Sequence, residues 1–155
     1  MSVNRERMTR DNRLISIQLE QCANRALARE GLTSVQAQIL LHILRHSEKG
    51  TSLTAIHRES GYSMAAISSL IKRLREKGYV RVEPLAGDDR CKLLFGTDKG
   101  KQVQTFLDAS MRKTQDCLFQ GFSQEDLNTL DRLQKKMLAN LSVYDQHELR
   151  EVSER

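Results

Sequence analysis

The sequence predicts a mainly α chain with one small β-hairpin, and three observations predict it. A single Pro among 155 residues leaves long stretches free to run as helix. Apolar residues recur at spacings of three and four through most of the chain. One region alternates instead: Tyr79-Val80-Arg81-Val82-Glu83, then a turn over Pro84 to Asp89, then an extended run from Arg90 to Phe95.

The elements follow in order. A first helix is read from about Arg10 to Arg29 on Leu14, Ile17, Cys22 and Ala26, and Gly31 ends it. Thr33, with Gln36 three residues on, has the capping-box pattern and opens a second helix carrying Ile39, Leu40, Ile43 and Leu44. The polar run from His46 to Gly50 stops it. A short third helix spans Leu53 to about Glu59, closed by Gly61. Ser63 caps a fourth, in which Ile67, Leu70, Ile71 and Leu74 form one apolar stripe, and Gly78 ends it. After the hairpin, Thr97-Asp98-Lys99-Gly100 opens a long fifth helix through Val103, Phe106, Leu107, Met111 and Leu118. Gly121 breaks it. Ser123, with Asp126 three residues on, starts a sixth through Leu127, Leu130, Leu133, Met137, Leu138 and Leu141. Residues 1–9 and 146–155 are polar and are expected to be flexible ends.

Composition narrows the class. Hydrophobic residues at 39% and charged ones at 29% suit a soluble globular protein with a modest core, and aromatics at 5% leave Leu, Ile, Val, Met and Ala to fill it. No segment approaches the roughly 18–20 apolar residues of a membrane span. The N-terminus lacks the apolar stretch of a signal peptide, so the cytoplasm is the expected location and no membrane partner is expected. Cys22, Cys91 and Cys117 are odd in number and lack C-x-x-C spacing, which argues against a disulfide framework or a zinc knuckle; inert thiols are the expectation.

Charge points to a partner. Residues 45–101 hold twelve Lys/Arg against seven acids, a surplus of five, whereas the rest of the chain holds thirteen of each sign. A basic centre between neutral flanks suits polyanion binding. The order helix, short helix, capped helix, hairpin is that of a winged helix-turn-helix, here read as residues 33–97, between helical arms at 10–30 and 98–145. In the fourth helix the apolar stripe anchors one side. The other presents Ser63, Met64, Ala65, Ser68, Ser69, Lys72 and Arg73, small and hydroxylic first and basic further along, as a helix entering a major groove requires. At the hairpin turn Asp88-Asp89-Arg90 places an arginine beside carboxylates, and such a tip fits a narrow minor groove.

These segments resemble the MarR (multiple antibiotic resistance regulator) family of bacterial transcription factors over about Arg10 to Leu141. The resemblance rests on Gly31-Leu32-Thr33-Ser34-Val35-Gln36, Ser63-Met64-Ala65-Ala66-Ile67-Ser68, Leu74-Arg75-Glu76-Lys77-Gly78-Tyr79-Val80, Asp88-Asp89-Arg90 as the family's D-x-R, Thr97-Asp98-Lys99-Gly100 and Phe122-Ser123-Gln124-Glu125-Asp126-Leu127. It implies a two-fold homodimer built by the terminal helices, with the fourth helices in successive major grooves of a pseudo-palindromic double-stranded site. It makes Arg90 the minor-groove residue, Asp88 its brace, and Ser63, Ala65, Ser68, Ser69, Lys72 and Arg73 recognition-helix contacts. It further implies a repressor released by a small aromatic or anionic effector bound between the arms and the winged module. Gly96 stands where the family usually has Leu, so the second wing strand is expected to end early or pack loosely.

Sharper readings weigh less. Cys22 has no adjacent Lys, Arg or His in sequence, so redox sensing is not expected of it. His42 and His46 have zinc-compatible i, i+4 spacing but do not complete a site, and solvated or capping roles are expected. No cofactor is expected. No G-x-S-x-G, P-loop, H-E-x-x-H or G-x-G-x-x-G occurs, so an enzyme is not expected. A winged helix that binds protein, or an architectural DNA binder, is the alternative. The basic surplus and the tip arginine favour DNA.

Overall fold

Asn4 caps the first helix by accepting from the Arg7 N–H at 3.0 Å, so α1 runs Arg5–Leu27 and begins earlier than its apolar period shows. In this computed structural model residues 2–153 are described except Ala86. The side chains of Asp88, Asp89 and Arg90 and of residues 145–153 lie outside the described part. A short 3-10 helix, Ala28–Glu30, ends on Gly31 at φ +66°, a conformation that costs glycine least.

Thr33 and Gln36 form the expected capping box: Thr33 Oγ1 accepts from the Gln36 N–H at 3.2 Å, and Gln36 Oε1 accepts from the Thr33 N–H at 3.1 Å. They open α2, Ser34–Arg45. Helix α3 is Leu53–Ser60, α4 is Met64–Glu76 and α5 is Asp98–Leu118. Helix α6 runs Gln124–Ser153, with Ser123 and Asp126 capping each other at 2.9 and 3.1 Å. The Ser123 main-chain N–H first, and the Ser123 hydroxyl second, hold the Asp126 carboxyl below its ordinary pKa.

The hairpin differs from the sequence reading. Strand β1 is Val80–Leu85 and β2 is Asp88–Gly96, so Pro84, Leu85, Asp88 and Asp89 extend the strands instead of forming the turn. The antiparallel register runs from Val80↔Gly96 to Pro84↔Lys92, then shifts to Leu85↔Asp88. Pro84 has no N–H to give the ladder and sits where the register breaks, as prolines in strands do. A third partner was not legible in the sequence: Thr51 exchanges both main-chain hydrogen bonds with Leu94, at 3.1 and 2.7 Å.

The chain forms two compact units, Met1–Leu118 and Phe119–Arg155. In the first, α1, α2 and α5 pack on one another, α3 packs on α4, and α2 supports α4 and β2. Its core comprises Leu27, Ile39, Leu40, Ile43, Ile56, Ile67, Leu74 and Leu107, all fully buried. The apolar residues named for the second and fourth helices are thus inside, Leu70 only partly, whereas Ile17, on the apolar period of the first helix, is exposed. In the second unit α6 leaves Leu138, Leu141 and Tyr144 each at least 60% exposed, an apolar surface that this unit does not cover by itself.

Gly96 does not shorten the wing. It is the last residue of β2, buried, and donates its N–H to Ser47 Oγ at 3.2 Å. A Cβ there would overlap Leu44 Cδ2, so the missing side chain lets the strand end press onto α2. The expectation of a loose or early end is therefore overturned by close backbone approach.

Candidate nucleic-acid interface

Helix α4 is anchored from below and capped at its start. Ile67, Ile71 and Leu74 are buried and Leu70 packs against the core. Ser63 Oγ accepts from the Ala66 N–H at 3.1 Å, and the turn before it is pinned by His57, whose Nδ1–H donates to the Tyr62 carbonyl at 2.6 Å. The side chains of Ser63, Met64, Ala65, Ser68, Ser69, Lys72 and Arg73 are all exposed and together take about half the helix circumference. Among the described residues neither Lys72 nor Arg73 takes part in an ion pair.

The other candidates, Asp88 and Arg90, lie on the backbone of β2. Arg90 falls in the stretch between Asp88 and Lys92 where the register shifts, and the reading of their side chains lies outside the described residues. Lower in the wing, Arg81 lies 4.6 Å over the Phe95 ring and pairs with Glu83, so this cation is engaged within the hairpin. Arg45 is likewise engaged, with Asp108 at 2.8 Å.

His42 joins three elements. Its Nδ1 is 3.0 Å from Glu59 of α3 and its Nε2 is 3.1 Å from the Thr51 hydroxyl, while the His46 ring stacks on it at 4.3 Å. His46 in turn donates Nδ1–H to the His42 carbonyl at 2.7 Å. No group of three possible metal ligands occurs among the described residues. Burial first, and the nearby His46 second, hold His42 below its ordinary pKa of 6.5. As pH falls through about 6.5, the unfolded chain takes up a proton that folded His42 resists, so stability present at neutral pH is lost on acidification. The melting temperature should drop between about pH 7 and pH 5.5, and His42→Gln should drop less. Parallel curves for the two proteins would show that His42 does not carry the effect.

None of the cysteines is buried: Cys22 is half-buried and Cys91 and Cys117 are exposed. Cys22 and Cys117 line one groove between α1 and α5 together with Arg25, a neighbour of Cys22 not adjacent in sequence but three residues on along the same helix face. A second cavity of about 270 Å³ lies between α1, α2 and α5. Ser34, Gln38, Tyr62, Met111 and Gln115 line it, and Glu20 is its one charged lining residue.

A buried-stripe helix with its far side open to solvent, joined to an antiparallel wing, defines a winged helix-turn-helix. Residues 30–90 match the model of the MarR family. No curated protein matches the chain. Among solved structures, a MarR family transcriptional regulator from Listeria monocytogenes complexed with 26mer DNA is 22% identical, with 91% of this chain and 90% of that one covered and a TM-score of 0.79. The S. aureus MepR–DNA complex is 20% identical over 90% of this chain and 99% of that one, at 0.80. A mutant MarR from E. coli, complexed with operator DNA, is 20% identical over 84% and 93%, at 0.75. At these identities the likenesses show a shared fold.

Proposed function

We propose that this protein is a sequence-specific double-stranded DNA-binding transcriptional regulator, a cytoplasmic homodimer that represses and is released by a small effector. The carrying observation is the exposed face of α4, from Ser63 to Arg73, held by a buried stripe on the opposite side. Three structural relatives bound to DNA support it. In this reading Ser63, Met64, Ala65, Ser68 and Ser69 approach bases, Lys72 and Arg73 meet phosphates, and Arg90, braced by Asp88, enters the minor groove. The face has no Arg or Gln near its N-terminal end for a bidentate base contact, so sequence-dependent DNA shape carries much of the specificity.

Helices α1, α5 and α6 serve as dimerisation arms. The uncovered apolar residues of α6 supply surface for a second copy, and a pseudo-palindromic operator mirrors the resulting two-fold axis. The effector binds the cavity between α1, α2 and α5, which reaches Tyr62, the residue just before the α4 cap. With Glu20 as its charged group and several hydroxyl and amide side chains, this cavity suits a neutral or cationic ligand better than an aromatic anion. Occupancy that favours one placement of Tyr62 would shift α4 and weaken DNA binding.

Salt-dependent binding to duplexes tests the reading. Lys72→Ala should weaken binding to all sequences about equally and lower the slope of log affinity against log salt by about 0.9. Unchanged affinity and slope would remove Lys72 from the interface. Binding that ignores sequence altogether would instead identify an architectural protein.

A further inference from the structure

The C-terminal end of α4 is held by cations that the charge pattern alone assigns to a polyanion. Lys77 caps the helix with its main chain, donating its N–H to the Arg73 carbonyl at 3.0 Å, while Gly78, at φ +81°, donates to the Arg75 carbonyl at 2.9 Å. The Lys77 side chain turns away from the open face, and its ammonium donates to the Gly31 carbonyl, at the turn that ends the 3-10 helix. The Lys77 carbonyl accepts from the Lys99 ammonium of α5 at 2.6 Å, and the same ammonium lies 4.8 Å over the Tyr79 ring. Thr97 Oγ1 donates to the Gly78 carbonyl at 2.5 Å, and the Thr97 N–H to the Tyr79 carbonyl at 3.0 Å.

We propose that Lys77 and Lys99 are specificity-determining positioning residues that fix how α4 presents its exposed face, and that neither is a phosphate contact. This rests on the reading of α4 as the DNA-reading helix. The N-terminal end of α4 is fixed locally by Ser63 and His57, whereas its C-terminal end is tied to two distant points, the turn at Gly31 and the first turn of α5. Hydrogen bonds with a charged donor are the stronger kind, and two of them converging on one helix end restrain its slide and tilt. Base contacts by the hydroxyls and small apolar groups of this face need close approach to base edges and so depend on that placement, but attraction to phosphates does not. Two of the twelve cations in residues 45–101 therefore hold protein carbonyls.

The test compares specific and non-specific affinity of the full-length protein over a salt series, using a selected operator duplex and a scrambled one. Lys77→Met should lose about tenfold or more in operator affinity, the scale of one well-placed base contact, with scrambled-duplex affinity and the salt slope unchanged. Lys77→Arg keeps a donor and should restore discrimination. Lys99→Met should behave as Lys77→Met does, and it serves as the second variant if Lys77→Met melts at assay temperature. A fall of the slope by about 0.9, with both duplexes weakened alike, would make these lysines phosphate contacts and overturn the assignment. Wild-type discrimination retained in both Met variants would overturn it as well. Failure of the wild-type protein to bind any duplex would overturn the DNA reading itself, and the assignment with it.

Discussion

Replacing Gly100 by Ala should destabilise the first unit by about 1–3 kcal/mol, the usual cost of forcing atoms into a packed site. The sign is the informative part. Gly100 lies in the first turn of α5, and Gly→Ala within a helix ordinarily stabilises by about 1 kcal/mol. Here a Cβ would overlap the carbonyl oxygen of Tyr79, which is main chain and cannot rotate aside. That carbonyl also accepts from the Thr97 N–H, so moving it would disturb the junction between α4, the wing and α5. Urea denaturation checks it: the midpoint should fall with little change in slope. A raised midpoint would mean that α5 can shift to admit the methyl group.

Introducing a carboxylate at Ala65 should abolish specific binding while leaving the fold intact. Ala65 is exposed on the first turn of α4, beside the Ser63 cap, and makes no contribution to the buried stripe. In Ala65→Glu an acidic group would be driven against bases and phosphates without a partner. An uncompensated charge of this kind costs several kcal/mol, which is a loss on the order of 100-fold or more. An unchanged melting temperature with lost operator binding is the expected pair of results. Operator binding within about threefold of the wild type would mean that this part of α4 does not face DNA.

What was legible in the sequence is what local chemistry determines. The Thr33–Gln36 and Ser123–Asp126 capping boxes, the Ser63 cap and the glycine stops at 31, 61 and 78 all stand where the residues placed them. They do so because each satisfies backbone groups within three or four residues. The stripe from Ile67 to Leu74 was legible for the same reason. The start of α1 was not, because Asn4 caps a first turn of polar residues with no apolar period to reveal it.

Features that depend on distant neighbours were hidden. Nothing near Thr51 signals that it will pair with Leu94, and nothing near Gly96 signals that Leu44 will press against it. The reading of Pro84 as turn failed because a proline at a register break can sit within a strand. Not all of the basic surplus in residues 45–101 is open to a partner. Lys77 and Lys99 bond to carbonyls, Arg45 pairs with Asp108, and Arg81 pairs with Glu83. Lys72 and Arg73 remain on the open face of α4, and that sharpens where a polyanion would lie.

The central claim is that a dimer of this chain reads duplex DNA by sequence. Selection of bound duplexes from a random-sequence library, followed by sequencing, tests it most directly. The expected result is enrichment of inverted repeats whose half-sites lie about one helical turn, roughly 34–36 Å, apart. Recovery of duplexes with no enriched sequence, or no recovery even at low salt, would contradict it.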